Sequence, residues 1–284
     1  MEKSGYYNIG AIKRLLSENG IRLTKERGQN FLIDKNTLEK IILCADITPD
    51  DTVIEIGPGI GSLSHLLMDK CKKLILVEFD KKLAELLSRL AKDKSNIDIH
   101  HQDFLKTDIS KIIPDGVKAK VCANIPYNIT SKIIDKLIKQ RGHLTSFTLT
   151  MQKEVAERVI SEPGSKTYSS ISILSQVFTT PKLCRVISPK VFFPQPKVFS
   201  AVVTFTVDDA KYNVKNEKLF FDIVHSVFVS RRKTIKNSLK SSPFISFNED
   251  KIFEALDACG IDDTIRGEML GIDKFVELSD ALGE

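Results

Sequence analysis

Four short stretches carry residue types suited to chemistry on a nucleoside. Asn124-Ile125-Pro126-Tyr127 combines an amide acceptor, a proline that fixes the backbone and an aromatic face. That set suits a planar base with an exocyclic amine: the Asn124 side-chain oxygen and the Ile125 carbonyl accept the two amine hydrogens while Tyr127 stacks on the ring. Glu55-Ile56-Gly57-Pro58-Gly59-Ile60-Gly61 places three glycines within five residues. Lacking a Cβ, they let backbone approach a nucleotide-sized ligand, and the first N–H groups of the following helix face it. The glycines are not spaced as the dinucleotide fingerprint G-x-G-x-x-G. Glu78, 21 residues after Gly57, can accept from both ribose hydroxyls of an adenosine. Asp103 can accept from an adenine amino group, with Phe104 beside the ring. Each stretch also has a plainer reading: a tight connection, an exposed Glu, a loop cap, a proline turn with an exposed Tyr. Together they favour adenosine. A nicotinamide cofactor fits less well, since no catalytic His, Lys or Tyr-x-x-x-Lys arrangement follows.

The elements that must hold these residues alternate in type. Apolar runs at 52–54, 73–78, 97–100, 120–123 and 146–151 read as strands, and the four stretches sit where the first four of them end. Between them lie helical stripes: Leu63, Leu66 and Leu67; Leu83, Leu86, Leu87 and Leu90; Ile133, Ile134, Leu137 and Ile138. The spacing predicts caps at Asp34 and at Thr130 or Ser131. An opening helix over 8–23 stops near Asn19-Gly20, and a polar link over 24–27 leads into Gly28-Gln29-Asn30-Phe31-Leu32. Alternation of this kind indicates a parallel doubly wound sheet, which binds ligands beyond the carboxyl ends of its strands. Past residue 151 a late strand pair, 182–187 and 200–205, is joined through a proline-bearing loop. From 208 onward the pattern is helical. The expected organisation is a catalytic domain over 1–207 and a small helical domain over 208–284.

Composition sets outer bounds. With 284 residues, 42% of them apolar and 28% charged, the chain has ample material for a core. It has no apolar run near the roughly 18 residues of a membrane span, and residues 1–7 lack a signal-peptide pattern, so a cytoplasmic protein without a membrane partner is expected. Five scattered cysteines without a C-x-x-C pair predict reduced thiols and no metal. The net charge of +5 is uneven: residues 241–284 hold three basic and eleven acidic residues, net −8, leaving +13 on residues 1–240. A body of that sign attracts polyanions, nucleic acid above all.

The E-x-G-x-G-x-G spacing resembles the first motif of S-adenosylmethionine methyltransferases. With that donor, the two acceptors at Asn124 and Ile125 orient an amine lone pair toward a sulfonium methyl, and no strong base is needed. The wider sequence closely resembles the bacterial small-subunit rRNA adenine dimethyltransferase family. The likeness runs through Gly28 to Leu32 with Asp34, the glycine motif, Val77-Glu78, Asp103 and Asn124 to Tyr127. It continues through 151–158, Gly164-Ser165-Lys166 with Tyr168, Phe192 with Pro194, Pro196-Lys197-Val198, and Phe228 with Arg231-Arg232-Lys233-Thr234. The resemblance implies a Rossmann-like methyltransferase sheet and S-adenosylmethionine as co-substrate. Asn30 and Leu32 would close over it, with Gly57 at the methionine, Glu78 on the ribose, Asp103 on the adenine and Asn124 at the reacting amine, beside Pro126 and Tyr127. It implies dimethylation of two adjacent adenosines near the 3′ end of small-subunit rRNA, by a monomer acting on a pre-assembled subunit during ribosome biogenesis. Phe192 would cover the base opposite Tyr127, and Arg231, Arg232, Lys233 and Lys236 would bind phosphates. Three positions depart from the family pattern: Phe199 for an acidic residue, Ser169 for a glycine, and Gln195 within a proline run. Two other readings share some of these features. A large-subunit rRNA adenine dimethyltransferase giving macrolide resistance is expected to lack the 231–234 and 196–198 signatures. A non-catalytic RNA-binding assembly factor has no need of intact Gly57, Glu78, Asp103 and Asn124.

Overall fold

The computed structural model describes residues 5–21 and 30–283. The expected link over 24–27 and the Gly28-Gln29 end of the family stretch lie outside them. Helix α1 (Ile9–Glu18) opens the chain, capped by Asn8 and closing at Asn19, ahead of Gly20 at φ 59°. Strand β1 (Phe31–Leu32) and helix α2 (Lys35–Cys44) follow. The Asp34 carboxylate accepts from the Thr37 N–H at 2.7 Å, as its position before an apolar stripe predicts.

The α/β part continues with β2 (Thr52–Ile56), α3 (Ser64–Leu67), β3 (Lys73–Glu78), α4 (Lys81–Leu90), β4 (Ile97–His101), β5 (Ala119–Asn124), α5 (Thr130–Lys139) and β6 (Leu144–Gln152). Helices α6 (Lys153–Val159) and α7 (Ser170–Phe178) lead to β7 (Thr179–Ile187), β8 (Phe192–Phe193) and β9 (Ser200–Val207). In α4 the Asp80 side chain caps two N–H groups, and Leu83, Leu86 and Leu87 form the buried stripe. Each such side chain is worth about 1.5–3 kcal/mol on burial. The expected cap of α5 differs: Thr130 is its first residue, and its hydroxyl donates back to the Pro126 and Tyr127 carbonyls. That contact ties the helix start to the Asn-Ile-Pro-Tyr turn.

Seven strands form one sheet in the order β4-β3-β2-β5-β6-β9-β7. β2 pairs in parallel with β3 and β5, β3 with β4, and β5 with β6. The sheet is mixed, not wholly parallel, because β9 runs antiparallel to β6. The chain reaches β9 from β7 through residues 188–199, which contain no crossover helix, and a parallel return needs one. β2, with β3 on one side and β5 on the other, is the point where strand order reverses. β1 and β8 form a separate antiparallel pair, Phe31 opposite Phe193 and Leu32 opposite Phe192. One core cluster joins α2 to the sheet through Leu38, Ile41, Val53, Leu74 and Val202; a second joins α1 to α4 through Ile12, Leu16, Leu83 and Leu86.

The chain divides into two compact units, residues 1–156 with 182–207, and residues 157–181 with 208–284. The 207/208 boundary is the one read from the sequence, whereas residues 157–181 group with the helical unit. Their aromatic residues explain this. Phe178 of α7 stacks on Phe221 and meets Phe220 edge-on in α8 (Glu217–Phe228), at 5.8 and 6.1 Å between centroids. Tyr168 meets Phe228 edge-on and donates to the Leu270 carbonyl. The unit is completed by α9 (Ile235–Lys240), α10 (Glu249–Ala258) and α11 (Ile272–Gly283), Phe228 stacking on Phe275 of α11. Ser169 stands at the N-cap of α7 with φ −161°, extended backbone that any residue adopts, so a glycine is not required there. Among the described residues, no helix is long and apolar enough to cross a membrane.

Candidate active site

A cavity of about 330 Å³ opens over the carboxyl ends of β2, β3, β4 and β5, at the reversal of strand order. Its lining brings together eight residues expected from the sequence: Asn30, Leu32, Gly57, Glu78, Asp103, Asn124, Pro126 and Tyr127.

The glycine turn forms the near wall. Gly57, Gly59 and Gly61 have φ of 63°, 61° and 86°, a region that side chains rarely adopt. A Cβ on Gly57 would meet nothing closer than Pro126, at 3.9 Å, so it would occupy cavity space. At Gly59 the reason is contact: a Cβ would fall 2.6 Å from the Phe31 ring. The helix after the turn is only four residues long, and the Gly59 N–H donates to a Glu78 carboxylate oxygen at 3.0 Å. That N–H is therefore committed to the protein.

Glu78 is 5% exposed at the end of β3. Its second oxygen accepts from the Asp80 N–H at 2.8 Å, so two backbone donors hold the carboxylate in place at the cavity. Asp103 follows β4 and accepts from the Leu105 N–H, which fixes its side chain at the cavity. Phe104 lines the same wall, with the Lys136 ammonium 6.0 Å from its ring centre.

Asn124 closes β5. Its Nδ2 donates to the Asn30 carbonyl at 2.9 Å, which settles which way the amide points. Its Oδ1 is buried and has no hydrogen-bond partner among the described residues. A buried acceptor left unpaired costs about 1–3 kcal/mol, which a donor entering the cavity recovers. Tyr127 is half-buried, and its hydroxyl shares a 2.6 Å hydrogen bond with Ser200 Oγ at the start of β9. Burial raises the phenol pKa, which the Ser200 hydrogen bond partly offsets, so Tyr127 is neutral at physiological pH and presents a ring.

Four contributors escaped sequence reasoning. The Asn30 carbonyl and Ser200 act across 94 and 73 residues of chain, and Phe31 packs against Gly59. The fourth is Glu55, buried in β2 and lining the cavity. Burial pushes its carboxyl up to about 8, with the nearby Glu78 charge adding to the shift, so it is mostly protonated at pH 7. One of its oxygens has no partner among the described residues. Its place in the glycine motif was the available signal.

Two expectations on the RNA side meet a different arrangement. Phe192 is 3% exposed: it pairs with Leu32 and packs in the core cluster with Leu38 and Ile187, so its ring does not line the cavity. In the cationic cluster, Arg231 pairs with Glu268 at 2.6 Å and donates to the Lys166 carbonyl. Lys236 lies between Glu249 and Asp263. Lys233 donates to the Ser241 hydroxyl, while Arg232 is exposed with no partner among the described residues. Among the described residues, no group of three His, Cys, Asp or Glu side chains could hold a metal ion.

Residues 21–279 match the ribosomal RNA adenine dimethylase family. A protein of Clostridium botulinum (strain Kyoto / Type A2), ribosomal RNA small subunit methyltransferase A, is 40% identical over 95% of this chain and 98% of its own. The chain belongs to the ribosomal RNA adenine dimethylase family. A Lachnoclostridium phytofermentans protein of the same designation is 42% identical over 92% of this chain and 91% of its own. Among solved structures, a dimethyladenosine transferase from Plasmodium falciparum superposes with a TM-score of 0.70 at 26% identity, covering 86% of this chain and 94% of that one. The 23S rRNA methyltransferase ErmE shares the fold, with a TM-score of 0.64 at 24% identity, 89% of this chain and 99% of that one. As a family member this chain is an S-adenosylmethionine-dependent rRNA adenine dimethyltransferase, and the small-subunit reading has the better support.

Proposed function

We propose that this dimethylase transfers two methyl groups to N6 of each of two adjacent adenosines near the 3′ end of small-subunit rRNA, within a pre-assembled subunit. The carrying observation is Asn124, whose amide nitrogen is held by the Asn30 carbonyl while its oxygen lies buried and unpaired at the cavity. That oxygen and the Ile125 carbonyl accept the hydrogens of the adenine amine and turn its lone pair toward the donor. S-adenosylmethionine supplies an electrophilic methyl. Glu78 holds its ribose and Asp103 its adenine, with Asn30, Leu32 and the Gly57 turn enclosing the rest. Pro126 fixes the direction of the acceptor turn, and Tyr127 supports the target ring from one face.

Alignment of two bound reactants in this way contributes up to about 7–11 kcal/mol. The amine becomes acidic only as it gains the methyl, and water then takes the proton; neither the neutral Tyr127 nor any other base is required. The enzyme acts as a cytoplasmic monomer, with residues 208–284 and the cations Arg232 and Lys233 toward RNA. A second alkylation uses the same acceptors with one hydrogen left to donate. Asn124→Ala is the test: S-adenosylmethionine affinity stays within a few-fold of wild type and turnover falls at least 100-fold. Unchanged methylation of immature small subunits removes Asn124 from the mechanism.

A further inference from the structure

We propose that the loop joining β7 to β9 is an RNA subsite, in which Phe199 stacks on the base beside the target adenosine while Lys190 and Lys197 hold the flanking phosphates. This rests on the reading that the acceptor is an adenosine within RNA.

Charge singles out this segment. Residues 182–207 contain Lys182, Arg185, Lys190 and Lys197 and not one Asp or Glu. Lys190 and Lys197 are exposed and have no ion-pair partner among the described residues. Arg231 and Lys236, by contrast, are already matched with carboxylates. An uncompensated cationic loop is complementary to a polyanion.

Phe199 narrows the polyanion to a nucleic acid. It is 53% exposed, a large apolar ring held in water. Its backbone is nevertheless pinned on both sides: its carbonyl accepts from the Lys153 N–H at 2.9 Å, and the next residue, Ser200, is 0% exposed and hydrogen-bonded to Tyr127. Consecutive Cα atoms are about 3.8 Å apart. Phe199 is therefore one chain step from a residue that touches the wall of the acceptor cavity. The prolines at 189, 194 and 196 restrict the loop further. An exposed aromatic ring on a pinned backbone, in the same loop as unpaired cations, is the combination that binds single strands by stacking and phosphate contact. An acidic protein would use the cations and leave the ring without a role.

The test uses the full-length enzyme and unmethylated small subunits, with Phe199→Ala, Phe199→Tyr and the double variant Lys190→Ala/Lys197→Ala. Loss of one stacked base raises KM for subunits roughly 5- to 150-fold. The turnover number and S-adenosylmethionine affinity stay within twofold, and Phe199→Tyr restores the wild-type KM. The lysine pair flattens the slope of log KM against log salt by about 1.4. A Phe199→Ala enzyme with a wild-type KM overturns the proposal, as does an unchanged salt slope in the lysine variant. Equal loss of binding to ribosomal proteins freed of RNA assigns the loop to a protein partner and also overturns it. Failure of the wild type itself to methylate small subunits would sink the functional reading instead, so the two failures are distinguishable. Thermal melts separate an unfolded Phe199→Ala from one that cannot bind.

Discussion

Replacing Ser200 by Ala removes the one partner that the Tyr127 hydroxyl has among the described residues, and the cost can be worked from burial. Ser200 is fully buried and Tyr127 half-buried, with 2.6 Å between their oxygens. In Ser200→Ala the phenol can turn toward water, so the loss is that of a neutral hydrogen bond, about 0.5–1.5 kcal/mol. In Tyr127→Phe the Ser200 hydroxyl has no route to solvent, and stranding it costs about 1–3 kcal/mol. The double variant removes both polar groups and is less destabilised than the sum of the singles, giving a coupling of roughly 1–2 kcal/mol. Catalysis follows the same logic. The ring stays in each variant but is less well held, so single-turnover methylation slows about 3- to 10-fold. S-adenosylmethionine affinity is unchanged, because neither group is assigned to the donor. Urea unfolding of the four proteins measures the coupling, and rapid-quench methylation measures the rate. Additive single effects, with coupling below about 0.3 kcal/mol, would refute the contact as a positioning device.

Two further outcomes bear on the donor side. Glu55 has a folded-state pKa raised to about 8 by burial, so the stability it contributes is fully present below its unfolded value near 4.5 and is lost as pH rises through 8. The ligand-free wild type should thus lose stability relative to Glu55→Gln between pH 5 and 9, by ~5 kcal/mol at most; parallel melting curves would exclude a shifted Glu55. Gly59→Ala meets both a positive φ of 61° and the Phe31 ring 2.6 Å from its new Cβ. Displacing Phe31 also disturbs the neighbouring Asn30 carbonyl, so calorimetry should show S-adenosylmethionine binding weakened at least 10-fold and stability lowered by about 1–3 kcal/mol. Retained affinity would contradict the packing described.

What could be read from the chain was local. Gly57 to Gly61, Glu78, Asp103 and Asn124 to Tyr127 each follow a strand within a few residues, so hydrophobic periodicity places them on one rim. Contacts between distant segments leave no such trace. Strands β1 and β8 are two residues long, too short for a pattern, yet their register carries Asn30 to Asn124 and turns Phe192 into the core. The sequence leaves Phe192 in a proline-bearing loop without a partner, and the pairing with Leu32 shows where its ring goes. Arg231 reads as a phosphate ligand because its partner Glu268 lies 37 residues further on. Residues 157–181 carry no boundary signal in composition, and their grouping follows from Phe178 and Tyr168 meeting aromatic partners in α8.

The central claim is that the cavity joins a methyl donor to an adenine amine oriented by Asn124. Tritiated S-adenosylmethionine, offered with small subunits, large subunits and naked rRNA to wild type and Asn124→Ala, tests it most directly when the labelled nucleotides are then mapped. The account predicts label in two adjacent dimethyladenosines near the 3′ end of the small-subunit RNA, made by the wild type alone. Label in large-subunit RNA, or equal labelling by Asn124→Ala, would contradict it.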